Sequence, residues 1–481
     1  MKQKFAVAIG LPNSEIVNGF GKEDFSTAGI LPILLGEDLY MNNTIAINSG
    51  DTAWILTATG LVLLMTPGLA LFYGGMVRKK NLLSTMFQSF ISMSVVSLLW
   101  ILVGFSLSFG DSLGGFIGNP LTFLGFQNVG FEPNAMFSAT IPFALFALFQ
   151  MKFAIITPAL VTGAFAERVR FKAYLLFIVF FCLFIYAPVA HWTWHPDGFL
   201  RKMGVLDFAG GTVVHITAGI AALVAALMMR NRVQAEHAPT NIPFVMLGTG
   251  MLWFGWFGFN SGSALAANGQ AAQSFLTTNT ASATAMLTWM VLDWWKKGKP
   301  SALGACVGAV VGLVGVTPAA GFISVGSSII IGLVATLGAY SVVLLRSRTS
   351  IDDTLDVFPC HGVGGIIGMI MTGVLAQDVG LINGKTETFV AHLIGLVIVI
   401  GFAATMSFIG FYLIGKLMPL TVSADAEMLG LDFDQHGETI GDSMGMSAQN
   451  FAVSPQYQAS AESVTAKFMT ENIAPSTVRT H

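Results

Sequence analysis

From Asp51 onward, eleven apolar segments follow one another with only short polar connections between them. They cover about 53–76, 83–109, 138–165, 173–191, 208–229, 242–260, 273–295, 302–317, 321–345, 357–377 and 388–416. A bilayer is crossed by about 20 apolar residues of helix, and lipid leaves no water to satisfy a backbone in any open arrangement other than a helix. Charged residues are 10% of the chain and hydrophobic ones 54%, where a soluble domain carries roughly 25% charged residues. The chain therefore reads as an all-α polytopic membrane protein with eleven transmembrane helices. Its 53 glycines suit helices that approach closely through small residues.

Lysines and arginines collect on one side of these segments. Arg78, Lys79 and Lys80 follow the first, Arg168, Arg170 and Lys172 the third, and Arg230 and Arg232 the fifth. Lys296, Lys297 and Lys299 follow the seventh, Arg346 and Arg348 the ninth, and Lys416 the eleventh, whereas Arg201, Lys202 and Lys385 are all that follow even-numbered segments. Positive charge stays inside, which puts the N-terminus outside and the C-terminus inside. Segments one to five (about 51–230) and six to ten (about 242–377) then form two five-helix halves of opposite orientation, an arrangement common in transporters, with the eleventh helix (388–416) added.

Each half carries an acid eight residues before a histidine: Asp207 before His215 in DFAGGTVVH, and Asp353, with Asp356, before His361 in DDTLDVFPCH. An ionisable side chain at membrane depth is costly and by default marks a functional path. At 1.5 Å of rise per residue, eight residues carry each histidine about 12 Å inward from opposite faces, so the two meet near the middle of a ~30 Å layer.

Other features are less informative. Cys182, Cys306 and Cys360 lie in apolar runs without metal-ligand or redox spacing and read as small buried side chains. The start of the chain lacks a clear cleavable signal, and residues 1–50 are expected to form an extracytoplasmic segment, with a sequon at Asn42-Asn43-Thr44. The segment 419–481 reads as a cytoplasmic tail, flexible beyond Asp442 because it has little to bury. The net charge of -3 and the lack of a basic arm give no sign of nucleic-acid binding. No cofactor or metal is expected: two histidines without a third ligand, and without an activated nucleophile, fall short of an enzyme site.

Between about Asp51 and Asp442, the strings PGLALFYGGMVRKKN, FAIITPALVTGAFAERVRF, DFAGGTVVH, GWFGFNSGSA, GLVGVTPAAGFI and HGVGGIIG resemble, in order, the ammonium transporter (Amt/Mep/Rh) family, on its Amt branch. The resemblance implies eleven helices in two inverted halves, a homotrimer, and a pore through each subunit that accepts ammonium or methylammonium. It makes His215 and His361 the pore histidines, where imidazole can donate, accept and relay a proton. It makes Phe149, Phe153, Trp194 and Ser263 an outer recruitment site, with cation–π attraction replacing hydration and a hydroxyl accepting a hydrogen bond. Phe153 and Phe259 become the gate below that site. Asp207 is expected either to cap the fifth helix or to support the recruitment site electrostatically, with Asp353 and Asp356 in a mirror role inside.

One residue departs from the family pattern: Lys152 precedes Phe153, where an uncharged side chain is usual. Facing the mouth it would repel a cation, so it is expected to point to a subunit contact or the surface. His191, His195, His237, His392, His436 and His481 receive no transport role. The segment GLDFDQHGE resembles the family's cytoplasmic regulatory motif, beneath which a PII-type signalling protein shuts many prokaryotic members. A non-transporting ammonium sensor and a Rh-like gas channel are the alternative functions.

Overall fold

The computed structural model describes residues 46–440 except 236–237. The expectations for 1–45 and its sequon, for the chain beyond residue 440, and for His237 and His481 fall outside the described residues.

Helices dominate the fold. We label the long helical runs α1 (Ser49–Met76), α2 (Lys79–Phe109), α3 (Phe143–Phe165), α4 (Phe171–Lys202), α5 (Gly211–Met228), α6 (Ile242–Ala264), α7 (Gly269–Lys297), α8 (Ala302–Val316), α9 (Val325–Arg346), α10 (Phe358–Leu375) and α11 (Glu387–Leu417). Among the described residues, nine of these are long and apolar enough to cross a membrane. The other two are α7, whose 29 residues include many Gln, Thr and Ser, and α8, which has only 15. The chain is a multi-pass membrane protein.

Helix starts follow local chemistry. Asn48 caps α1, Asn241 caps α6, Asn268 caps α7, Ser301 caps α8 and Ser324 caps α9, each side chain accepting a backbone N–H of the first turn. Two expected boundaries need correction. The third segment does not begin at residue 138, because Ser138–Pro142 is a strand (β2) paired antiparallel with Pro133–Asn134 (β1), and helix begins only after Pro142. The break at Thr317-Pro318 falls where expected, but α9 starts at Val325 rather than 321, once Ser324 can cap it.

The expected rise of eight helical residues from each acid to its histidine is also corrected. Residues 207–210 are not helical; Gly210 is left-handed (φ 118°) and α5 begins at Gly211. Asp353 likewise lies outside α10, which begins at Phe358. Each histidine therefore sits in the opening turns of a short helix, reached by a loop, rather than eight residues along one. Both openings, Gly211–Ile216 and Phe358–Val363, are π-helical, a widened turn often found at functional sites.

At the tail, α12 (Ala424–Leu429) and α13 (Leu431–His436) dock against the start of α2. The Asp432 carboxylate accepts the amides of Leu83 (3.1 Å) and Ser84 (2.7 Å), Lys80 Nζ donates to the carbonyls of Glu427 and Met428, and Glu427 pairs with Arg230 at 2.7 Å. Burial pushes the Asp432 carboxyl up to about 6.

Candidate functional site

The site is built where α5 crosses α10. A Cβ on Gly219 would lie 2.1 Å from the Gly362 amide nitrogen, so the two backbones meet with no side chain between them. That approach sets the preceding histidines side by side. His215 Nδ1 and His361 Nδ1 are 3.3 Å apart, with ring centroids at 5.4 Å and planes tilted by 24°. Both are buried, at 1% and 3% exposure. Two neutral imidazoles bond this way only if one Nδ1 donates and the other accepts. Among the described residues His215 Nε2 has no hydrogen-bond partner. Among them, too, neither ring is tied to a backbone carbonyl, as histidines serving only as core filler would be.

A narrow cavity runs beside the pair. Its wall includes Leu69, Ile156, Val214, Leu252, Trp256, Phe259 and both histidines, and it leaves about 10 Å³ for the centre of a water-sized sphere, close to the least that holds one water molecule. Trp256 stacks on His215 at 5.4 Å while its Nε1 donates to Thr317 Oγ1 at 2.9 Å. The sequence reading gave Trp256 no role; the tryptophan within GWFGFN was its one visible signal.

Next to His215 lies a cluster of aromatic rings. Phe259 lies 6.1 Å from His215, and its ring centroid is 4.2 Å from that of Phe153. Phe153 meets Phe149 at 4.9 Å and Trp194 at 5.9 Å, both edge to face. Phe149 touches the turn that carries Ser263, since a Cβ on Gly262 would come 2.9 Å from its ring. The structure thus brings together Phe149, Phe153, Trp194, Phe259 and Ser263. Ser263 is half-buried in a 3-10 turn and its hydroxyl donates to Phe259 O at 2.9 Å. With its proton committed, that hydroxyl offers lone pairs to an incoming N–H.

Asp207 organises both levels. Its carboxylate accepts the amides of Gly210 (2.8 Å), Gly211 (2.6 Å), Thr212 (2.8 Å) and Val213 (3.4 Å), and also the Thr212 hydroxyl. Its backbone carbonyl accepts Trp194 Nε1 at 3.1 Å. Asp207 therefore caps the helix bearing His215 and also anchors the outer indole, while its carboxylate is fully taken up by the chain.

The second acid is set differently. Asp353 accepts only the amides of Val357 (3.1 Å) and Phe358 (2.7 Å), and Asp356, at φ 56°, pairs with Arg346 at 2.5 Å. Burial, with the charge of Asp356 alongside, pushes the Asp353 carboxyl up to about 7. Close by, Arg168 and Arg232 hold Asp352 at 3.2 and 2.8 Å, and Glu167 takes Arg232 at 3.0 Å.

Lys152 does not reach the surface of the chain. It is 9% exposed, and its Nζ lies 3.9 Å from Met151 Sδ with no carboxylate partner among the described residues. Of the two expectations, a subunit contact or the surface, the surface one is corrected: the rest of α3 is buried nearly all round. Of the histidines set aside, His191 stacks on His195 at 4.4 Å, His436 bonds Ser84, and His392 is engaged at both ring nitrogens.

Comparison with known proteins gives a consistent picture. The model of the Ammonium Transporter Family matches residues 53–440. A putative ammonium transporter of Methanothermobacter thermautotrophicus is 46% identical over 403 residues, covering 82% of this chain and 98% of that protein. An ammonium transporter of Aquifex aeolicus is 45% identical, covering 82% and 93%. Among solved structures, Candida albicans Mep2 superposes with a TM-score of 0.76 at 35% identity, over 84% of this chain and 92% of that one. A structure described as a sensor Amt protein gives 0.75 at 29%, over 82% and 99%. The chain belongs to the ammonium transporter family.

Proposed function

We propose that this protein takes ammonium from its outer face and conducts ammonia, with or without the proton, through the cavity beside His215 and His361. The observation that carries this reading is the order of groups along one line: an aromatic cluster with a lone-pair-only hydroxyl, a pair of contacting phenylalanines, then two imidazoles bonded to each other beside a narrow apolar space. Phe149, Phe153, Trp194 and Ser263 suit a small cation, since aromatic faces replace part of its hydration. Asp207 supports that site by holding Trp194 and its own helix. The apolar tube below disfavours a charge, so the proton leaves near the mouth. The gate of Phe153 and Phe259 opens by ring rotation, and ammonia then exchanges hydrogen bonds with the histidines. The unpartnered His215 Nε2 supports a relay, since an imidazole can pass a proton without moving.

In this reading α1–α11 are eleven transmembrane helices forming the transporter domain at 51–418. Helices α1–α5 and α6–α10 are inverted halves, the N-terminus is outside, the tail is cytoplasmic, and three subunits assemble as a homotrimer with one pore each. The docked segment around Asp432 is the place where a cytoplasmic regulator, such as a PII-type protein, would act.

Uptake of labelled methylammonium in cells lacking their own transporters tests this. The native chain restores saturable uptake, and Trp194→Ala and His215→Ala each reduce it. Absence of uptake by a correctly inserted native chain would favour the sensor reading, which the likeness to a sensor Amt structure keeps in view. Saturation by ammonia gas alone, unaffected by Trp194→Ala, would favour a gas channel. Current on adding ammonium to proteoliposomes decides whether the proton crosses.

A further inference from the structure

Between α4 and α5 the chain must pass from Lys202 to Gly211 without regular structure, yet this loop carries Asp207. Trp194 depends on it, because the indole Nε1 donates to the carbonyl of Asp207. What fixes that carbonyl is therefore a question about the outer site. The peptide bearing that carbonyl is held on one side by Phe208 N–H donating to the Pro318 carbonyl at 3.1 Å; two peptide units earlier, Leu206 N–H donates to His392 Nε2 at 2.9 Å, and His392 Nδ1 lies 2.7 Å from the carbonyl of Met369 in α10. A carbonyl only accepts, so the ring proton is on Nδ1, and Nε2 presents the lone pair that the Leu206 amide requires. The two bonds fix one tautomer, and the ring, fully buried in α11, bridges two backbones.

We propose that His392 is a positioning residue of the outer cation site: by clamping the Leu206 amide to α10, it completes, together with the Phe208–Pro318 bond, the hold on the loop whose Asp207 carbonyl orients the Trp194 indole. The inference rests on the recruitment-site reading of Trp194 given above. His392 touches neither the aromatic cluster nor the histidine pair in the bonds it makes, so its effect passes only through the loop. A side chain serving only as packing between α10 and α11 would not need an acceptor aimed at residue 206.

The test compares three variants by kinetics of methylammonium uptake in proteoliposomes. His392→Phe keeps the ring and loses both nitrogens. His392→Asn can keep the bond to the Met369 carbonyl but is too short to reach Leu206, so it isolates the clamp even where the phenylalanine variant fails to fold. In His392→Gln an amide on a longer arm supplies one donor and one acceptor. A buried amide left without its acceptor predicts a KM raised about tenfold in the Asn and Phe variants, with kcat changed less than about twofold and Gln within about threefold of the native KM. Trp194→Ala, run alongside, raises KM in the same direction. A native KM in His392→Asn beside a raised KM in Trp194→Ala would overturn the proposal, as would a fall in kcat at constant KM, which is the mark of packing alone. An unaltered KM in Trp194→Ala would instead sink the outer-site reading, and the positioning role with it.

Discussion

The chain contains the same phrase twice, an acid eight residues before a histidine, and the two copies are finished differently. At Asp207 four amides and a hydroxyl converge on one carboxylate, and the adjoining carbonyl holds an indole. At Asp353 two amides suffice, and the surroundings are charges: Asp356, Arg346, Asp352, Arg168 and Arg232. Both acids cap the helix that brings a histidine to the shared cavity, but the cluster of Phe149, Phe153, Trp194 and Phe259 adjoins the first. A helix cap and a buried imidazole are common to both copies; under the function proposed above, a cation trap is needed only where the charged species arrives.

The largest effect should come from the point the copies share. Gly219→Ala forces a methyl group against the Gly362 backbone, which separates the histidines; misplacing reacting groups by about 1 Å can cost on the order of 100-fold. Methylammonium uptake should fall by about that factor while the protein still inserts, and near-native uptake would show that contact of the two rings is not required.

Removing the acids should then separate the copies. A lost helix cap costs typically ~1 kcal/mol, so Asp353→Ala should reduce uptake about fivefold with little change in KM. Asp207→Ala strips more amides and frees Trp194, and hydrogen bonds to a charged acceptor are worth roughly twice neutral ones, so a loss of about 30-fold with a raised KM is expected. Equal losses, read in the same uptake assay, would erase the distinction between the copies.

A smaller effect tests the indole alone. Trp194→Phe keeps an aromatic face but gives up the bond to the Asp207 carbonyl, and a single hydrogen bond of this kind predicts a KM raised about threefold to tenfold. An unchanged KM would mean that the ring face suffices without its anchor.

The smallest effect concerns pH. The Asp353 carboxyl is raised in the folded chain to about 7 from the ordinary aspartate value of about 3.9, so between these values the folded chain holds a proton that the unfolded chain has released. Stability from this group is therefore greatest at the acid end and declines as pH rises toward about 7, beyond which it is lost. Thermal unfolding in detergent should show a melting temperature falling across that window, with a flatter slope in Asp353→Asn. A slope unaltered by the substitution would assign the titration elsewhere.

Much of this was legible in the residues. Apolar length announced the helices, because lipid admits no other open backbone arrangement, and the capping expectation for Asp207 followed from an acid placed just ahead of an apolar run. The pairing of His215 with His361 was reachable by matching spacing in two halves. The route to it was not: the expected helical rise from acid to histidine is replaced by a non-helical loop, since Asp207 spends its carboxylate on amides that a continuing helix would have satisfied internally. His392 went unread because its partners are backbone groups of Leu206 and Met369, and a main-chain partner leaves no trace in residue identity. The burial of Lys152 was not legible for a related reason, as burial depends on every helix around it.

The sequence alone determined a helical membrane protein with paired acid–histidine phrases and family motifs, because hydrophobic length and local capping act over a few neighbouring residues. Only the tertiary structure decided that Gly219 meets Gly362, that two imidazoles share a hydrogen bond, and that an indole, a carbonyl and a distant histidine form one chain of contacts. Those outcomes depend on the crossing of helices far apart in sequence, where a single methyl group is enough to keep two backbones from touching.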